Sequence, residues 1–315
     1  WMLRLVLFFI RLKRRDREYM KKKSLFQASF EESLNLEDDG FRKLQQEQHD
    51  KTAKFFKNGH ASLWFCIRSF ILSLIFPVGF NFILLAISMQ LHESDTLTLP
   101  IAQHESLTVD VFLILLIIWL SLVVIGKFIK RTYLLPYRYQ FHAFTFMIWF
   151  LLEMDLIFLD FLLANLASWE IIGIVGFIVM MIYWMFNIEL AGLRKLMYGE
   201  VLKETSRNKI AKMIALYGMG ILGVAMIVKH LLGFFTIDIS NSIKGFGFLL
   251  LWLFCNFVLF AIVIFIGFPY FLHAYYKWKY PEEYREWEGQ SLAEWYGKAY
   301  LKKHPELLEK DSGEN

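Results

Sequence analysis

The sequence predicts an all-α fold: a polytopic integral membrane bundle of six transmembrane helices with both termini cytoplasmic. Three observations predict it. Apolar residues gather into six runs of about 20 residues, each long enough at about 1.5 Å rise per residue to cross a hydrocarbon core of roughly 30 Å. The hydrophobic share of the 315 residues is 57% and the mean hydropathy is +0.41, more than a soluble domain of this size carries. The basic residues fall almost all on alternate connections. Backbone amides cannot stay bare in lipid, so the runs must be helices; the alternation of barrel strands is absent.

Residues 1–61 read as a cytoplasmic N-terminal region. Its first run, residues 2–10, is apolar apart from Arg4. It is too short to span, and most basic residues follow it instead of preceding it. It therefore reads as an interfacial basic amphipathic helix, not a secretory leader. With residues upstream of Trp1 it would instead be the end of a seventh span. The dense basic cluster between Arg11 and Lys23 lies against anionic lipid in this reading. Asp38, Asp39 and Gly40 predict a turn, followed by a helix from Phe41 that Asn58 and Gly59 stop.

The six-span domain covers 62–277, with spans near 62–88, 111–129, 144–167, 171–188, 213–235 and 247–277. Pro77 in the first span and Pro269 in the sixth predict kinks, helped by Gly79 and Gly267. Trp169 marks one interface, and Tyr270, Tyr275, Tyr276 and Trp278 the other. Residues 278–315 form a cytoplasmic helical tail. Pro281 opens it, Ser291 with Glu294 fits a capping box, and Pro305 closes the next helix. Trp287, Trp295, Tyr296 and Tyr300 give this tail an aromatic face to pack on the inner loops.

Orientation follows from charge. Lys and Arg number 14 in residues 1–61, four in 127–143, six in 189–212 and seven in 277–315. The connections 89–110 and 168–170 hold none, and 236–246 holds one, Lys244. Basic flanks stay in the cytosol, which places both termini there, in the plasma membrane of a bacterium. The net charge of +4 is spread over these segments and is no nucleic-acid footprint. Cys66 and Cys255 read as small apolar residues, not a disulfide.

No catalytic or cofactor motif survives its context, so no enzyme activity is expected. Gly218, Gly220 and Gly223 match a dinucleotide-binding spacing but sit inside an apolar run with no preceding strand. The eight histidines include no pair at metal-ligand spacing on one helix. No cofactor and no metal are expected.

Function, if the membrane region holds it, lies in the few polar residues at membrane depth, because each costs several kcal/mol there and needs a reason. Span 3 carries Glu153, Asp155 and Asp160; span 5 carries Lys229 and His230; span 6 carries Asn256. Glu153 and Asp160 are seven residues apart and share a helical face, while Asp155 points elsewhere. In span 5, Ala211, Ala215, Gly218, Leu222 and Ala225 make a small-residue stripe that leads to Lys229. Counting residues in from the inner surface puts Asp160 and Lys229 at one height, which allows an ion pair. Asn256 falls near the height of Glu153.

The layout of six spans, both termini inside, an interfacial N-terminal helix and short inner loops resembles that of ABC-2-type exporter permeases. That resemblance implies a transport component that works with a separate cytoplasmic ATPase, docked at inner loops such as Arg131–His142 with Pro136. An ion-coupled carrier using the polar residues is the other transport reading. The alternative is a membrane-embedded immunity or assembly scaffold protein without transport. The lipid bilayer, an ATPase or another membrane subunit are the expected partners, and nucleic acid is not.

Overall fold

The computed structural model describes residues 24–38, 49–51, 53–55, 62–94, 100–128, 131–198 and 241–308; among these it is all-helical, with no strand. A short helix α1, Phe30–Leu34, is followed by a 3-10 turn Asn35–Asp38. The long helices are α2 (Leu63–Glu93), α3 (Val109–Gly126), α4 (Leu135–Asn165) and α5 (Ser168–Met197). Helix Asn241–Ala261, a π-helical stretch Ile262–Gly267 and helix Phe268–Lys279 run on without a break as α6. The tail adds α7 (Pro281–Trp287), α8 (Leu292–Tyr296) and α9 (Lys298–Leu301).

Local chemistry sets the helix starts. The Ser62 and Thr108 hydroxyls accept the Phe65 and Val111 amides at 3.2 and 3.3 Å, capping α2 and α3. Glu170 accepts the Ala167 amide at 2.8 Å, so two residues suffice to turn α4 into α5. Pro281 opens α7, and Ser291 with Glu294 forms the capping box of α8, as the sequence predicts. Both proline kinks are π-helical turns. Pro77 lies within Leu74–Gly79, and Pro269 follows Ile262–Gly267. A proline lacks the N–H and its ring crowds the carbonyl four residues back, so a wider turn relieves the clash.

Four helices are long and apolar enough to cross a membrane: α2, α3, α5 and, within α6, Gly245–Lys279. They are compatible with a membrane protein. Their outward faces are apolar: Phe70 and Ile75 on α2, Ile117 and Ile125 on α3, and Ile172 and Met180 on α5 are all exposed. The third expected span lies within α4, whose 31 residues are long enough, but its three carboxylates keep it apart from the apolar four. The expected fifth span, with Lys229 and His230, lies outside the described residues. So do the interfacial run 2–10, the basic cluster after it and the turn at Gly40.

The helix α4 occupies the middle of the described bundle. On one side Trp149 and Ile157 pack with Leu85 of α2 and Phe112 and Trp119 of α3. On the other, Phe158 and Leu162 pack with Trp252 of α6, and Ile171, Ile174 and Ile178 of α5 close over them. Further along, α5 and α6 meet through Met185, Ala261, Ile264 and Phe265.

At one end of the bundle, the tail end, a second core gathers α1, the α3–α4 connection, the last turns of α5 and α6, and the tail. Tyr133 stacks on Trp295 with ring centroids 4.4 Å apart, and Thr132 donates to the Tyr296 carbonyl at 3.0 Å. Tyr276 bonds to the backbone of Leu25 and Ala28, and Tyr284 to Ser33. The tail thus packs on the α3–α4 connection. One expectation changes here: Tyr270 and Tyr276 are buried, not part of an interfacial belt, because their hydroxyls are used inside. Trp278 stays exposed. At the opposite end, the loop end, residues 100–108 fold back onto the last turns of α4.

Candidate functional site

The three carboxylates of α4 reach three different environments. Their spacing decides this: at 3.6 residues per turn, residues seven apart share a face, and the residue two along from Glu153 turns well away from it. Glu153 and Asp160 are fully buried toward the α2–α3 side, and Asp155 faces α6.

Asp155 is held by two neutral donors on α6. The Trp252 indole and the Asn256 amide each donate to its Oδ1 at 2.8 Å. Asn256 therefore serves Asp155, not Glu153, whose height the sequence suggested for it. The residue also donates to the Trp252 carbonyl one turn back at 3.3 Å.

Asp160 is seated by backbone. The Ser106 amide donates to both carboxylate oxygens at 3.1 and 3.0 Å, and the Ala102 amide donates to the Asp160 carbonyl at 3.0 Å. Asn165 ties the same loop by donating to the Pro100 carbonyl at 2.9 Å. The one basic side chain described beside Asp160 is His92 of α2, with Nε2 at 3.6 Å from Oδ2. Lys229, its expected partner, lies outside the described residues, as does His230.

Glu153 is the unsaturated one. Its Oε1 accepts the Trp149 indole N–H at 2.6 Å, while its Oε2 is buried and has no hydrogen-bond partner. A buried acceptor left open costs about 1–3 kcal/mol, so its retention asks for a purpose.

The sequence reading missed the residues that face these carboxylates from α2. Over Phe80–Glu93 the buried residues are Asn81, Leu85 and Ser88. An apolar helix that hides its polar residues and shows its apolar ones is turned toward a polar interior. Asn81 donates to the carbonyl of Pro77, in the π-turn, at 2.6 Å, and its Oδ1 has no partner. The Ser88 hydroxyl is buried without a partner, as is the Trp119 indole N–H of α3. The spacing 81, 85, 88, 92 was the available signal, since it marks one helical face. Glu189 of α5 was also missed; it is fully buried and lies one residue beyond the expected end of span 4.

The α2, α3 and α4 helices thus enclose a seam of polar atoms that their neighbours do not saturate. No three His, Cys, Asp or Glu side chains converge as metal ligands among the described residues. A separate cavity of about 310 Å³ opens at the tail end, lined by His49, Lys54, Thr132, Lys277 and Glu288 among others. No protein-family model, curated protein or solved structure matches the chain.

Proposed function

We propose that the protein is a multi-pass transport component of the plasma membrane, with six spans, both termini in the cytosol and α4 as its polar element. One observation carries this reading: Glu153 is wholly buried halfway along α4, with one oxygen bonded to Trp149 and the other open. Ionisable groups inside a membrane bundle mark substrate or ion paths by default. This favours an ion-coupled carrier over a permease that only responds to an ATPase, because the chain then carries its own coupling group. If an ATPase does partner it, docking falls on the tail. Thr132 and Tyr133 of the α3–α4 connection and Pro136 in the first turn of α4 are buried, and α8 covers this start of the expected docking loop.

The scaffold or immunity reading also has an observation in its favour. The Asp155 carboxylate is held by two donors, and Asp160 by the Ser106 amide shared between its carboxylate oxygens and the Ala102 amide on its backbone carbonyl, as glue would be. The two readings separate on variants of the full chain in proteoliposomes carrying an internal pH dye. Glu153→Gln removes proton uptake and keeps the protein in the membrane if transport is right. Wild type without any uptake, together with loss of Asp155→Asn and Asp160→Asn from the membrane, supports the scaffold.

A further inference from the structure

We propose that the seam between α2 and α4 is a proton path from the loop end to Glu153, with Ser88 and the His92–Asp160 pair as its steps. The proposal rests on the transport reading and names the ion.

The geometry places the steps in line. The helices α2 and α4 run in the same direction. Phe65 near the start of α2 lies 6.0 Å, centroid to centroid, from Tyr139 near the start of α4, and His92 at the end of α2 meets Asp160 at 3.6 Å. Counting back eleven residues from that pair brings Asn81 level with Trp149. Glu153 then lies beside Leu85, between Asn81 and Ser88, and about 10 Å below Asp160 at about 1.5 Å per residue. The open atoms on this face, Asn81 Oδ1, Ser88 Oγ and Glu153 Oε2, fall along one line that ends at His92 Nε2.

The pair at the top is arranged to receive a proton. His92 Nδ1 lies 2.8 Å from the Ser88 carbonyl, which can only accept, so Nδ1 carries hydrogen. In a neutral ring Nε2 is then an acceptor, and it faces Oδ2 of Asp160, also an acceptor. Two acceptors face each other favourably only with a hydrogen between them, supplied by an incoming proton or by a water that donates to both. The Ser106 amide, donating to both Asp160 oxygens, fixes that carboxylate in place facing His92. From α2 the titratable group on this face is His92; α3 contributes the Trp119 indole N–H.

The transfer balances simply. A proton from solvent at the loop end binds His92 Nε2. The N–H bond breaks as an O–H bond forms on a water hydrogen-bonded to the Ser88 hydroxyl, and that water's own proton passes to Glu153 Oε2. The charge moves with the proton, and nothing is oxidised or reduced. Asn81, level with the π-turn at Pro77, is where the path leaves Glu153 toward the tail end.

The test is infrared difference spectroscopy on the full chain in proteoliposomes moved from H₂O to D₂O, with the Glu153 carboxyl band identified by its absence in Glu153→Gln. The band should shift on exchange. Ser88→Leu and His92→Phe should each slow that shift by about tenfold or more, a loss of about 1.4 kcal/mol in the barrier. Ser88→Thr, which keeps the hydroxyl, should restore most of the rate even if the leucine variant folds poorly. A carboxyl band that never exchanges, or one that exchanges equally fast in the phenylalanine and leucine variants, overturns the path. Exchange through Ser88 and His92 without proton uptake into the vesicles keeps the path and sinks the transport reading.

Discussion

The tail end and the α2–α4 seam are both buried and both polar, yet they treat their hydroxyls in opposite ways. At the tail end each buried hydroxyl has a partner: Tyr137 with His273 at 2.6 Å, Tyr284 with Ser33 at 2.9 Å, Tyr296 with Glu282 at 2.5 Å and Thr132 with the Tyr296 carbonyl. Lys277, almost wholly buried, is paired with Glu288 and sits 5.5 Å over the Trp295 ring. In the seam, Asn81, Ser88 and Glu153 each leave an atom open. The tail end also buries the Trp295 indole N–H without a partner, but its hydroxyls are bonded, whereas the open atoms of the seam lie along one helical face. The difference separates a part that holds the fold from the part proposed to carry protons.

The comparison breaks most visibly at Trp295. Its side chain is buried against Tyr133 and Lys277, so Trp295→Ala should cost the tail end about 3–5 kcal/mol. Limited proteolysis should then cut between α7 and α8, while Glu153 exchange stays at its wild-type rate. Alkali should do the same without a mutation. Burial, with help from Glu282, holds the Tyr296 phenol well above its ordinary value, and burial raises Tyr133 too. A folded-state value raised above the unfolded one gives stability that is intact below about pH 10 and lost as pH climbs past it. Proteolysis of the tail that shows no alkaline onset would contradict the packing of these two phenols.

A smaller effect is expected at Asp155, the carboxylate of α4 that behaves like the tail end. Asn256→Ala removes one of its two side-chain donors and should cost about 1–3 kcal/mol, read as a lower melting temperature of the detergent-solubilised protein. Proton uptake should be unchanged. An Asn256→Ala protein that is stable but inactive would move the working part from the α2 side of α4 to the α6 side.

Much of this arrangement was legible in the sequence, and the illegible part has a physical reason. Apolar length alone finds α2, α3, α5 and α6. The seven-residue interval between Glu153 and Asp160 puts both on one buried face, and Asp155 off it. Local periodicity says nothing about which donor a carboxylate meets. The Ser106 amide reaches Asp160 from 54 residues away, through a loop with no period at all. Height alone sets Asn256 near Glu153 but cannot tell it from Asp155, because two residues along a helix change the height by only about 3 Å but turn the side chain through most of a half circle. Single polar residues such as Ser88 near the end of a greasy run look ordinary until the opposite helix is known.

The finest test matches two hydroxyls in one experiment. Thr132 and Ser88 are both buried, and each is a small hydroxyl on or next to a helix. Thr132 donates at 3.0 Å to a carbonyl that belongs to the tail, so Thr132→Val strands that acceptor and should lower stability by about 0.5–1.5 kcal/mol. The Ser88 hydroxyl has no partner to strand, and alanine is the better helix former, so Ser88→Ala should fall within about 0.5 kcal/mol of wild type, on either side. Its cost should appear instead in the rate at which Glu153 exchanges its proton. Equal melting losses in the two variants would mean that Ser88 is satisfied after all, and that the seam is built like the tail end.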